Sequence, residues 1–191
     1  PYDWFYLCCV GLARLHVLAK DVDSAIEDLR VEAELARRAG GKFPKEPGWL
    51  LRASDGHRRA ASLLLMHKRD CAACAEENRK SIAAIEELGR LHPDHPDWRT
   101  ELAEGHSMLA EVLADTADKA GAVNEYIQAI KMLRALAGGD ACSPKLRYKL
   151  FLGYLALGNL LAGQGDVGGA ADSFMSALPQ AKWLVDREPD N

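Results

Sequence analysis

Apolar residues recur every three to four positions along most of the chain, which is the spacing of one face of an α-helix. The run Ile127, Ile130, Leu133 and Leu136 shows this periodicity clearly. Segments rich in glycine and proline interrupt it at 40–48, 92–96 and 138–144, where we expect linkers. The pattern therefore predicts eight helices and no sheet, over residues 2–19, 22–39, 49–68, 71–91, 97–116, 119–137, 145–164 and 167–186.

The predicted helices fall into pairs that repeat along the chain. Aspartates recur at the expected start of each second helix, at steps of 49, 48 and 48 residues. Such aspartates cap helices by accepting backbone N–H bonds. The aspartates are Asp21, Asp70, Asp118 and Asp166. Four further columns keep the same frame: Ala25, Cys74, Ala122, Ala170; Ala13, Ser62, Ala110, Gly158; His16, Leu65, Leu113, Leu161; and Leu29, Asn78, Tyr126, Phe174.

These columns divide the chain into four units, at about 1–47, 48–95, 96–143 and 144–191. The last unit has the clearest pattern. Its residues are Tyr154, Leu157, Gly158, Leu161, Gly165, Asp166, Ala170, Phe174, Ala177 and Leu178. This spacing resembles the tetratricopeptide repeat (TPR), although a standard TPR has about 34 residues and the helices here would be longer. The resemblance implies an all-α, right-handed solenoid of four antiparallel hairpins forming one domain.

Composition excludes several classes of function. The 191 residues are 48% hydrophobic and 27% charged, with a net charge of -4, which gives no attraction to nucleic acid. No apolar run reaches the roughly 20 residues that cross a bilayer, and the first residues do not form a signal peptide. The five cysteines do not form a disulfide framework. We expect a cytoplasmic protein with reduced thiols, and the abrupt start and end suggest a piece of something longer.

Few residues suggest chemistry. Cys71 and Cys74, with His92 and His95, have spacing that a metal or redox site could use, but Cys74 also occupies a small packing column. Cys8 and Cys9 fit helix packing, and the 49-residue step from His57 to His106 fits the repeat. No nucleotide-binding, hydrolase or zinc-protease motif is present. We therefore expect no enzymatic activity, cofactor or metal, with a metal at Cys71 and Cys74 left open.

The resemblance implies instead a protein-interaction scaffold. In TPR arrays the first helix of each hairpin lines the concave face, where a partner segment binds. Family geometry then selects partner-binding residues, which would make the groove basic near its start and acidic in the middle. They are Arg14, Arg59, His67, Glu104, Glu111, Asp115 and Asn159, with Val10, Leu63, Ser107 and Leu155 beside them.

A second hypothesis comes from the first residues. Trp4–Val10 resembles the start of helical repeats that follow bacterial serine/threonine kinase domains. On that hypothesis the chain is a regulatory or sensory region of a larger signalling enzyme.

Overall fold

A computed structural model describes residues 2–95, 97–138 and 143–187 of the chain. Within these ranges the chain forms eight α-helices, one π-helical turn and no strand. The π turn, Leu64–Lys68, directly follows α3. The helices are α1 (Tyr2–Leu18), α2 (Val22–Lys42), α3 (Gly48–Leu63), α4 (Cys71–Leu91), α5 (Trp98–Ala114), α6 (Lys119–Ala137), α7 (Pro144–Gly163) and α8 (Val167–Arg187).

The eight predicted helices are confirmed, with one difference of note. The sequence predicts that α2 ends at residue 39, before two glycines, whereas the helix continues to Lys42. The reason is packing, because Gly40 is buried and a Cβ at this position would lie 3.0 Å from the Leu50 side chain. Parts of the predicted linkers, including Cys142, and the last residues, 188–191, lie outside the described residues.

Aspartate caps start the second helix of every hairpin, as predicted. In each case one carboxylate oxygen accepts a bond from the backbone N–H three residues later, at 2.9–3.2 Å. In three of the hairpins, the residue before the aspartate has a left-handed backbone, which favours glycine. Only the last hairpin has glycine there, Gly165 with φ +81°, while Lys20 and Arg69 adopt φ 62° and 53°.

The π turn shifts the repeat register by one residue within the second hairpin. Up to Leu64, the buried positions of α3 match those of α5 at a uniform step of 49 residues and those of α1 at 48. After the turn, the second hairpin follows the first at a step of 49 residues and precedes the third at a step of 48. The turn therefore contains one extra residue. The pairing of Ser62 with Ala110 is therefore wrong by one residue. The residue equivalent to Ala110 is Ala61, which is 1% exposed, while Ser62 is half-buried.

The chain divides into two compact units, Pro1–Trp98 and Arg99–Asn191. In the N-terminal unit, α1 packs on α2, α2 on α3 and α3 on α4. In the C-terminal unit, α6, α7 and the buried side of α5 share one apolar cluster, and α8 packs on α7. Each unit thus contains two hairpins. The single continuous stack of four hairpins stays a prediction.

The two units have different cores. In the N-terminal unit, α2, α3 and α4 bury six polar or charged side chains, which are Glu32, Ser54, His57, Glu77, Asn78 and Ser81. The described part of the C-terminal unit buries one, Ser173, inside an otherwise apolar core. Its central residues are Ala103, Ala110, Tyr126, Ile130, Leu133, Ala137, Leu150 and Leu157.

Candidate functional site

The C-terminal unit has a cleft of about 180 Å³ between the first helices of its two hairpins. Helices α5 and α7 form its walls, and Tyr126 and Leu133 of α6 lie beneath them. Gly153 lets α7 lie close to α6 at the base of the cleft, because a Cβ there would lie 3.2 Å from Ile130. The other wall residues are Ala103, Glu104, Ser107, Met108, Glu111, Lys149, Leu152 and Ala156.

Most of the cleft is apolar, and its two acids lie on the α5 wall. Met108, Leu152 and Ala156 offer hydrocarbon surface, and Leu152 is 41% exposed. Glu104 forms an ion pair with Lys149 across the cleft, which joins α5 to α7. One apolar side chain of a partner would fit a space of this size and lining.

The carboxyl of Glu111, at one end of the cleft, has a raised pKa. Its side chain is exposed, but the surrounding walls displace enough water to raise the pKa of its carboxyl. Desolvation, followed by the charges of Glu111 and Asp115, raises the pKa of the buried Tyr126 to about 12. This end of the cleft therefore has a negative potential that a cation would relieve.

The structure brings together some of the residues that the sequence predicts for partner binding. Glu104, Ser107 and Glu111 line the same cleft. Asp115 is exposed one turn beyond Glu111 and acts electrostatically on Tyr126. Asn159 is exposed on α7, outside the cleft lining.

In the N-terminal unit the predicted residues lie in different surroundings. Arg14 is exposed on α1, and His67 is exposed in the π turn. Arg59 points instead to the buried Glu32, with its Nη1 atom 3.2 Å from Oε1. Leu63 is only 8% exposed.

The one-residue shift in α3 accounts for the positions of Arg59 and Leu63. At the 49-residue step, the residues equivalent to Ser107 and Glu111 are Arg58 and Ser62. The sequence prediction selected Arg59 and Leu63 because it related the second unit to the third by the 48-residue step of the aspartates.

Sequence reasoning missed the histidine–carboxylate hydrogen bonds that join the two helices of single hairpins. His57 Nδ1 lies 2.8 Å from Glu77 Oε2, and His106 Nδ1 lies 2.6 Å from Glu125 Oε2. His16 makes a similar contact with Asp28 at 2.6 Å. The signal was present, because Asp28, Glu77 and Glu125 form another column with steps of 49 and 48 residues.

The cysteine–histidine group does not assemble into a site. Cys74 is 2% exposed, and its Sγ accepts a weak bond from Asn78 at 3.7 Å. Burial, with the charges of Cys71 and Asp70, raises the pKa of the Cys74 thiol to about 11, which disfavours the thiolate that metals and redox partners need. Among the described residues, no three His, Cys, Asp or Glu side chains are grouped to hold a metal ion.

Comparisons with known proteins extend the description of the fold. No family model and no curated protein matches the chain. The crystal structure of BtubC (BKLC) from P. vanneervenii is similar over 100% of this chain and 68% of that chain, with TM-score 0.68 and 15% identity. Two crystal structures of MamA cover 96% and 92% of this chain and 96% and 97% of their own, at TM-scores of 0.40 and 0.39 and identities of 14% and 13%.

The similarity to BtubC spans every helix of the chain and agrees with the hairpins described above. The chain therefore has the all-α, TPR-like helical-repeat fold that its sequence predicts.

In the described part of the chain, no helix is both long enough and apolar enough to cross a bilayer.

Proposed function

We propose that this chain is a protein-interaction module whose C-terminal unit binds a partner segment in the cleft between α5 and α7. The observation that supports this most strongly is the composition of that cleft. It combines exposed apolar surface on Leu152 with the accessible carboxylate of Glu111. Apolar contact provides affinity, and a fixed charge at one end provides direction.

The chemistry of the cleft indicates the kind of segment that fits. An aliphatic or aromatic side chain would enter beside Met108, Leu152 and Ala156. A lysine or arginine next to it would pair with Glu111, whose pKa is raised by desolvation. A bound cation favours the ionised carboxylate and so lowers that pKa again. Binding should therefore weaken when the solution is acidified enough to protonate Glu111.

The other predicted partner-binding residues extend this proposal. Asp115 directly follows the end of α5, beyond Glu111, and would attract a second basic residue. Asn159 would contact the backbone of a segment that continues along α7. Arg14, Arg59 and His67 stay as predictions for a separate contact with the N-terminal unit.

A selection from a phage-displayed library of random peptides tests the proposal. We expect the enriched peptides to share an apolar residue adjacent to lysine or arginine. Glu111→Lys should weaken their binding about tenfold or more, because it replaces attraction by repulsion. Leu152→Asp should also weaken it, whereas Glu86→Lys, an exposed charge reversal on α4, should leave it within about twofold.

Two results would contradict the proposal. One is a selection in which no sequence is enriched over an unrelated protein. The other is an enriched peptide whose affinity is unchanged by both Glu111→Lys and Leu152→Asp while the variants keep the wild-type circular dichroism spectrum.

A further inference from the structure

Two helices expose rows of large apolar side chains that the fold does not cover. On α1 these include Trp4, Phe5, Leu12 and Leu15, which are 79%, 56%, 47% and 62% exposed. On α8 they include Leu178 and Val185, which are 69% and 63% exposed. Isolated apolar residues on a surface are ordinary, but continuous rows along a helix indicate an interface.

The row on α1 corresponds to the face of α3 that α2 covers. At the 48-residue step, Phe5, Cys8, Leu12 and Leu15 are equivalent to Ala53, Gly56, Ala60 and Leu63, all of which are buried. This face of α3 lies against α2, because a Cβ at Gly56 would be 3.0 Å from the Ala33 Cβ. The exposed row on α1 is thus shaped to receive the second helix of a hairpin.

The row on α8 corresponds to the face of α2 that covers α3. At a step of 145 residues, Leu178 and Val185 are equivalent to Ala33 and Gly40, which are buried against α3. A groove of about 550 Å³ lies beside the row between α7 and α8. Its lining includes Tyr148, Phe151, Ala181, Leu184 and Val185.

In the N-terminal unit the place equivalent to this groove is filled. Phe151 and Ala181 are equivalent to Tyr6 and Ala36, and both of these pack around Trp49 of α3. The centroids of the Tyr6 and Trp49 rings are 6.1 Å apart. The groove therefore corresponds to the place that, in the N-terminal unit, the first helix of the next hairpin fills.

We propose that two copies of this chain associate, with α1 of one copy in the α7–α8 groove of the other. The two apolar faces are the two sides of the contact that α2 makes with α3, and every copy has one of each. Helix α1 of the second copy is thus the first helix of a hairpin, and it has the apolar row and the repeat register that the groove requires. Such a contact joins unlike surfaces, so further copies can add at the free faces.

The internal contacts predict two neighbours across this interface. Leu178 should lie against Cys8 of the second copy, as Ala33 lies against Gly56. Trp4 is equivalent to Arg52, whose guanidinium carbon lies 4.9 Å from the centre of the Tyr6 ring. Trp4 of the second copy should therefore lie beside Phe151.

A complementation experiment tests the proposal on the whole chain. The double variant Phe5→Asp, Leu12→Asp blocks the α1 face, and Leu178→Asp, Val185→Asp blocks the α8 face. Analytical ultracentrifugation should show each variant as a monomer where the wild type is associated, and a mixture should form a one-to-one dimer through the two intact faces. Met66→Asp, which replaces a side chain that is 68% exposed in the π turn, should associate like the wild type.

A cross-link identifies the contact itself. Oxidation of Leu178→Cys with copper phenanthroline should join it to the exposed Cys8 of the second copy, because equivalent Cβ atoms lie close enough for a disulfide. Adding Cys8→Ala should abolish the cross-link, and Met175→Cys, 62% exposed on the same helix, should give little.

Three outcomes would overturn the proposal. They are a wild type that stays monomeric at all accessible concentrations, a mixture of the two blocked variants that stays monomeric, and a cross-link that persists after Cys8→Ala. A monomeric wild type would indicate that other helices or another protein cover these faces.

Discussion

The two units share one hairpin architecture but differ in what their helices bury. A single column shows the difference: Glu32 and Ser81 in the N-terminal unit are equivalent to Ala129 and Ala177 in the C-terminal unit, and all four are buried. Alanine needs no partner at such a position, whereas a buried carboxylate is stable only when charged or polar groups meet it. Arg59 and the Tyr6 hydroxyl meet Glu32, and Ser54 meets Ser81 at 2.8 Å.

The difference teaches that this repeat geometry tolerates two kinds of core. The second hairpin has Asn78 and Ser81 where the third has Tyr126 and Ala129. Its helices still pack closely, because Ser81 bonds to Ser54 and Asn78 bonds to Cys74. The C-terminal unit depends instead on the fit of apolar volumes. The N-terminal unit should therefore be the more sensitive to lost charges.

The largest expected effect comes from removing a buried carboxylate. Glu77 is 1% exposed and bonds to His57 and Arg30, whereas its equivalent Glu125 is 26% exposed and pairs with His106. Glu77→Ala should lower the free energy of unfolding by about 3–5 kcal/mol, and Glu125→Ala by about 1 kcal/mol. Urea denaturation followed by circular dichroism measures both. Equal losses would show that burial of the charge does not distinguish the two units.

The next effect is a pH dependence that belongs to the N-terminal unit. Although burial alone would raise the pKa of Glu77, bonds from His57 and Lys80 lower it from 4.5 to about 2. A lowered pKa stabilises the fold above pH 4.5, and this stabilisation is lost as the pH falls toward 2. The difference in unfolding free energy between the wild type and Glu77→Gln should shrink by about 2 kcal/mol between pH 7 and pH 3. A difference that is constant over this range would contradict the assignment.

Overpacking of the apolar C-terminal unit should have a smaller cost. A Cβ at Gly158 would lie 2.6 Å from the Phe174 ring. Gly158→Leu should therefore cost about 1–3 kcal/mol, and Phe174→Ala in the same chain should recover part of the loss. Gly163 on the same helix has open space around it, so Gly163→Leu is the matched control. An unchanged melting temperature for Gly158→Leu would mean that α7 and α8 are paired in another register.

The smallest effect concerns the turns before the aspartate caps. Arg69 has the left-handed backbone that Gly165 adopts in the last hairpin. Arg69→Gly should raise the free energy of unfolding by up to about 1 kcal/mol. Ala117 occupies the same place in the third hairpin without a positive φ, so Ala117→Gly should not stabilise the protein. Equal responses of the two variants would contradict a role for backbone strain.

Local features of the sequence were enough to predict most of the fold. The helices, the Asp21 to Asp166 ladder and the hairpin pairing follow from periodicity and capping, which depend on residues within one or two turns. The π turn did not follow. Leu63, Leu64 and Leu65 are consecutive, so either register of α3 places a leucine at the packing position, and only tertiary contacts decide between them.

The candidate site was partly predictable for the same reason. Glu104, Ser107 and Glu111 lie on one face of α5, and helical spacing alone places them together. Tyr126, Lys149 and Leu152 come from other helices, so their position in the cleft depends on how the helices pack. Glu32 could not be identified as buried, since an acid on an amphipathic helix is usually exposed and its partner Arg59 lies 27 residues away.

The most direct test of the central claim, partner binding in the C-terminal cleft, uses the four methionines as probes. One of them, Met108, lines the cleft, while Met66 and Met175 are exposed elsewhere. The chain labelled with ¹³C at the methionine methyl groups is titrated with a peptide enriched from the library, and NMR follows the signals. We predict that the Met108 signal shifts and saturates while those of Met66 and Met175 stay in place. Saturable shifts at Met66 or Met175 with Met108 unchanged would contradict the proposed site.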